Sequence, residues 1–128
     1  MSNPGLKLRR WSGLHGVRSD SSRFPEPSPD WKGLVSVSRT PEETSWIGPW
    51  TGEGMGPYRA WSVPGPLAPT LVGVLAGFLD PLREASVPVL AVSTHDTDWL
   101  LVDESRATAA EAAWTAAGIG IEDATIAS

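Results

Sequence analysis

Val87-Pro-Val-Leu-Ala-Val-Ser-Thr-His-Asp-Thr-Asp-Trp-Leu-Leu-Val102 is the stretch whose reading decides the fold. Two apolar, β-rich runs, Val87–Val92 and Trp99–Val102, enclose a polar centre, Ser93-Thr94-His95-Asp96-Thr97-Asp98. Short Val-rich runs bounded by small polar residues read as buried strands joined by a turn. The first run is apolar at every position except Pro88. A strand in a sheet covered on one side alternates polar and apolar residues. This one offers no polar face, so its second face is expected to pack against the first half of the chain or another subunit.

Working outward, Tyr58–Val63 reads as a strand ended by Pro64-Gly-Pro66. Thr70 is placed to cap a helix over Leu71–Ala85, whose apolar stripe is Leu71, Val74, Leu75, Phe78 and Leu82. Gly73, Gly77 and Pro81 weaken that helix, so packing must support it. Asp103 or Ser105 caps a second, Ala-rich helix running to about Ala117, anchored by Trp114 and stopped by Gly118. Ile119-Gly-Ile121 supplies a last strand. The order is β-α-β-β-α-β, the ferredoxin-like α+β arrangement, assigned to residues 57–128.

The Gly-rich link Glu53-Gly-Met-Gly-Pro57 sets this half apart from a less patterned one, residues 1–56. There, Leu6–Trp11 and Gly16–Ser19 have strand character, Gly33–Thr40 alternates as a half-buried strand, and Ser45–Trp50 reads as a further strand. Pro41-Glu-Glu-Thr44 fits one helical turn. No long amphipathic helix appears, so the first half is expected to lean on the second.

Composition narrows the function. The 128 residues carry a formal net charge of −5, which disfavours a phosphate backbone as partner. The basic cluster Lys7, Arg9 and Arg10 reads as the solvated face of a strand. The absence of cysteine removes thiol chemistry, disulfides and thiolate metal sites. No signal peptide or membrane span is visible, so a cytoplasmic protein is the expectation. Seven tryptophans must mostly bury their rings, and each indole N–H then needs an acceptor.

Pro64-Gly-Pro-Leu67, Val72-Gly-Val-Leu-Ala76, Pro81-Leu-Arg-Glu-Ala85 and Val92-Ser-Thr-His-Asp-Thr-Asp-Trp-Leu-Leu-Val102 together resemble small bacterial ACT-domain proteins. These are relatives of the ACT modules in cytosolic arginine sensors of animal cells. Ser36-Val-Ser-Arg-Thr-Pro-Glu-Glu43 is similar to their N-terminal portion. The resemblance spans roughly residues 35–118 and implies a tandem ACT fold with a degenerate N-terminal ACT-like module. It further implies an amino acid bound at Ala68, Leu71, Gly73, Leu75, Thr94, His95 and Asp98. Where the arginine sensors carry an acidic residue at the helix start, this chain has Leu71, which favours a smaller or more apolar amino acid.

The residues support such a site independently. Unpaired N–H groups at the helix start, near Leu71, Val72 and Gly73, can receive a carboxylate. Asp98 can receive an ammonium group, as a zwitterion requires. The alternative is turn chemistry, in which Ser93, Thr94, Asp96 and Asp98 bond only to local groups. Catalysis is not expected. Ser93, His95 and Asp98 are neighbours on one turn rather than a convergent triad, and one imidazole beside two carboxylates lacks metal-loop spacing. Gly52-Glu-Gly-Met-Gly56 lacks the Lys and helix of a phosphate loop. The expectation is therefore a non-catalytic sensor or regulatory module needing no cofactor or metal, with a small-molecule partner and a homodimer in reach. A ligand-free structural or protein-interaction module is the alternative.

Overall fold

The computed structural model describes residues 6–19, 26–65 and 73–124. Its strands are β1 (Lys7–Ser19), β2 (Ser36–Arg39), β3 (Thr44–Pro49), β4 (Met55–Ser62), β5 (Leu90–Ser93), β6 (Asp98–Asp103) and β7 (Gly120–Asp123). Helix α1 (Val74–Glu84) joins β4 to β5, and α2 (Ala107–Ala116) joins β6 to β7. The second half therefore follows the expected β-α-β-β-α-β order. Its sheet does not close as a four-stranded one.

β1 occupies the place beside β4. It pairs antiparallel with β4 along one edge, from Arg9↔Ser62 to Val17↔Met55. On its other edge it pairs parallel with β7 over residues 7–10 and antiparallel with β3 over residues 15–19. The result is a seven-stranded sheet of order β2-β3-β1-β4-β6-β5 with β7 alongside the first part of β1. The two strand-like stretches expected in residues 6–19 are one strand, with register shifts between Trp11 and Val17. Such bulges let a long strand turn from one partner to the next. The described residues of the first half add β2 and β3 as a hairpin and hold no helix. Pro41-Glu-Glu-Thr44 is a bend, because Thr40 Oγ1 accepts the N–H groups of Glu42 and Glu43 and closes the hairpin turn.

The helices cover one face. Leu8, Trp61, Val63, Leu100 and Val102 from the sheet pack against Phe78 and Leu82 of α1 and Ala110 and Trp114 of α2. Trp114 Nε1 donates to the Phe78 carbonyl at 2.8 Å, tying α2 to α1. Ile119 N donates to Trp114 O across Gly118, whose φ of 87° ends α2 as its position in the sequence suggested. Asp103 caps the short 3-10 turn before α2 by accepting from Ser105 N.

The opposite face carries Leu34, Ala60 and Leu101, flanked by Ile47, Tyr58, Leu90, Val92 and Trp99. Leu34 and Ile47 come from the first half, which supplies the cover that the non-alternating run demanded. The run itself is not strand throughout. Residues 87–89 precede β5; Pro88 has no N–H for a ladder, and Val87 N donates to Leu82 O. Val87 and Val89 belong to the helix-covered core, whereas Leu90 and Val92 face the other cluster. The run is apolar throughout because it passes from one core to the other. No helix among the described residues is long and apolar enough to cross a membrane.

Candidate functional site

The polar centre of residues 93–98 is the turn of the β5–β6 hairpin. Thr94 N donates to Thr97 O at 2.7 Å, and Thr97 N returns a bond to Thr94 Oγ1. Ser93 Oγ donates to Asp98 Oδ1 at 2.7 Å across the Ser93↔Asp98 pair, and His95 Nδ1 lies 2.7 Å from Asp96 Oδ1. Much of this polarity thus serves the turn. His95 stands with its side chain fully in solvent.

The hairpin is fastened to the end of β4. Val63 N donates to Asp98 O at 3.0 Å, and Thr97 Oγ1 donates to Val63 O. Residue 63 is also where the chain leaves the sheet toward α1. The start of β6 is thereby fixed beside the segment that leads into the helix.

The helix start differs from the sequence expectation. α1 begins at Val74, and Gly73 is its N-cap with φ 79°. A left-handed residue cannot sit inside a right-handed helix, so the unpaired N–H groups belong to Val74, Leu75 and Ala76 rather than to residues 71–73. Gly73 is exposed, and a Cβ built on it would meet nothing within 4 Å. Leu75 packs against the helix-covered core. Ala68, Leu71 and the capping candidate Thr70 lie outside the described residues. Among the sequence-derived positions, the structure describes Gly73, Leu75, Thr94, His95 and Asp98, with the last three together on the hairpin.

A second constellation escaped the sequence reading. Arg10 is half-exposed yet fixed by partners: Leu8 and Arg10 share a face of β1, and that face looks toward α2. Its Nε and Nη2 donate to the two oxygens of Glu111 at 2.7 and 2.8 Å, and Nη1 donates to Asp123 at 2.6 Å. Trp61 Nε1 also donates to Glu111, at 2.8 Å. The Arg10 bonds hold the Glu111 carboxyl below its ordinary value, against burial, which pushes it up. These residues edge a cleft of about 580 Å³ between β1, β4 and α2. The only hint in the sequence is Glu111 at a half-buried position of an Ala-rich helix.

His15 is wholly buried, its ring 4.8 Å from that of Trp31 and 6.3 Å from that of Trp99. Leu34 N donates to its Nε2 at 2.9 Å, so the proton resides on Nδ1, which faces Gly13 O at 3.0 Å. Burial lowers its pKa to about 4 and keeps the imidazole neutral. Among the described residues, no group of three or more His, Asp or Glu side chains is arranged to hold a metal ion.

Comparison with known proteins gives this geometry a context. Residues 56–114 match the family model of the ACT domain. ACT domains are typically regulatory rather than catalytic, and commonly bind small molecules such as amino acids. A crystal structure of a protein from Agobacterium tumefaciens superposes with a TM-score of 0.76 at 24% identity, covering 98% of each chain. A Vibrio cholerae protein of unknown function, described as a possible transport protein, superposes with a TM-score of 0.68 at 15% identity, covering 84% of this chain and 85% of that one. Both likenesses are of fold. No curated protein matches the sequence.

Proposed function

We propose that this chain, with its ACT-type segment over residues 56–114, is a non-catalytic regulatory module that binds an amino acid. The ligand sits at the end of the sheet where α1 begins and β6 starts. Its carboxylate meets the unpaired N–H groups of Val74 and Leu75, which the helix dipole favours. Open space at Gly73 lets it approach the backbone. Its ammonium group meets Asp98, where Oδ1 is engaged by Ser93 and Oδ2 has no partner among the described residues. Thr94 and His95 border the site from the turn. The observation that carries this reading is that one ACT match spans both Gly73 and Asp98.

The turn's self-satisfied bonds favour a second reading, a ligand-free module that acts through its sheet edges. A thermal-shift screen of the twenty amino acids separates the two, because a ligand selective for the folded state raises apparent stability by mass action. At about a hundredfold excess over Kd the gain is roughly 2.7 kcal/mol. We expect at least one amino acid to raise Tm, and Asp98→Ala to abolish that rise while leaving the unliganded Tm within a few degrees. No rise with any amino acid at millimolar concentration selects the ligand-free module. A rise that survives in Asp98→Ala removes Asp98 from the site.

A further inference from the structure

Along one edge of β1, parallel β7 ends at Asp123 and antiparallel β3 ends at Pro49, opposite His15. Between them neither strand pairs with residues 11–13; Lys32 O accepts from Gly13 N at 3.0 Å, and the Trp31 ring packs over Gly13. The break in the ladder leaves a recess, roofed by the first turns of α2. Its volume, about 580 Å³, falls within the range of small-molecule sites.

Three cationic residues line this recess from three elements: Arg10 from β1, Lys32 from the loop before β2, and Arg59 from β4. Charge alone does not define the site. Glu111 and Asp123 balance Arg10, and Glu104 lies 3.3 Å from Arg59 at the rim. The hydrogen-bond inventory is more informative. Glu111 already accepts three N–H groups, two from Arg10 and one from Trp61. Of the five N–H bonds a guanidinium carries, Arg10 spends three on Glu111 and Asp123. Arg59 donates to Ser12 O at 3.1 Å and pairs with Glu104. Lys32 brings an ammonium with three donors. Donors remain on Arg10 after its bonds to Glu111 and Asp123, so an anion gains bonds here without breaking any of them.

Arg10 is also held in place before any ligand arrives. Carboxylates grip it from α2 and from the end of β7, so little side-chain freedom remains to be lost on binding. Its planar fork and that of Arg59 suit carboxylate oxygens.

From this we infer that the cleft between β1, β4 and α2 is a second binding site, which takes a small di- or tricarboxylate. It shares no named residue with the amino-acid site proposed above.

Isothermal titration with succinate, with sodium chloride matched for ionic strength as the control, tests the assignment. Saturable binding is expected in the parent protein. Lys32→Ala combined with Arg59→Gln should weaken it by about tenfold or more, since two charge-assisted contacts are lost. Both side chains are partly or wholly in solvent, so the fold should stand; an unchanged Tm verifies it. Asp98→Ala should leave succinate binding untouched, which separates this site from the amino-acid site. Heat no larger than that of matched salt, or equal affinity in the double variant, overturns the site. Inorganic phosphate binding as tightly as succinate overturns the carboxylate assignment.

Discussion

His15 shows how much one side chain can determine. Its ring joins the bulged part of β1 to Leu34, and Leu34 is the residue from the first half that is most deeply set in the second core. The contact leaves no spare room: a Cβ on Gly33 would stand 2.4 Å from His15 Nε2. Protonating Nε2 would expel the Leu34 N–H. The folded protein therefore resists that proton, with the pKa near 4 against an ordinary 6.5. Because the unfolded chain takes up the proton first, His15 contributes full stability above pH 6.5. That contribution is lost as pH falls toward 4, an amount of roughly 3 kcal/mol. Urea unfolding at pH 7.5 and at pH 4 should show this fall in the parent protein. His15→Gln should shrink the difference by a comparable amount; an identical pH dependence in the variant would show that other groups, not His15, set acid stability.

Among the elements, α2 depends most on a single contact. Its other residues are largely Ala, and Trp114 is its one large core side chain, 4.9 Å from the Trp61 ring in an edge-on arrangement. Trp114→Phe keeps an aromatic ring but forfeits the indole N–H to Phe78 O and leaves unfilled volume. A loss of roughly 2 kcal/mol is expected from chemical denaturation. A change below a few tenths would mean that α2 is held by other contacts.

The helices and the β5–β6 hairpin were legible in the sequence because their signals are local: apolar spacing, a terminating Gly118 and a short polar turn, although Asp103 caps the 3-10 turn before α2 and not α2 itself, whose N-cap is Arg106 without a side-chain bond. The start of α1 was misplaced by three residues, since Thr70 advertises a cap in sequence whereas the left-handed turn falls at Gly73. What no local pattern carried was strand order. Nothing in Lys7–Ser19 announces that it will lie between β4 and β7. The Arg10–Glu111 pair was hidden for the same reason, its partners being 101 positions apart. Of the proposed amino-acid site, Asp98 and Gly73 could be named from their chemistry, but the extent to which the hairpin satisfies itself emerged only with the geometry.

For the molecule as a whole, β1 is a shared part. It gives β4 a neighbour, β7 a neighbour and β3 a neighbour, and Leu8 enters the core beneath both helices. Removing residues 1–19 should therefore do more than shorten an edge. A chain of residues 20–128 is expected to lack a cooperative thermal transition and to show poor dispersion of amide NMR signals. A sharp transition in that fragment would instead show that the rest of the chain folds without β1.

The same insertion has a consequence in time. β1 precedes the other described strands in the chain, yet the pairing along residues 7–10 of its outer edge needs β7, and Arg10 meets Asp123 across 113 positions of chain. Folding must hold that edge open through the making of the hairpins and both helices. Long-range closures of this kind are slow, and an unpaired edge can meanwhile recruit strands from other chains. Lys7 and Arg9, exposed on that waiting strand, place charge where premature association would begin.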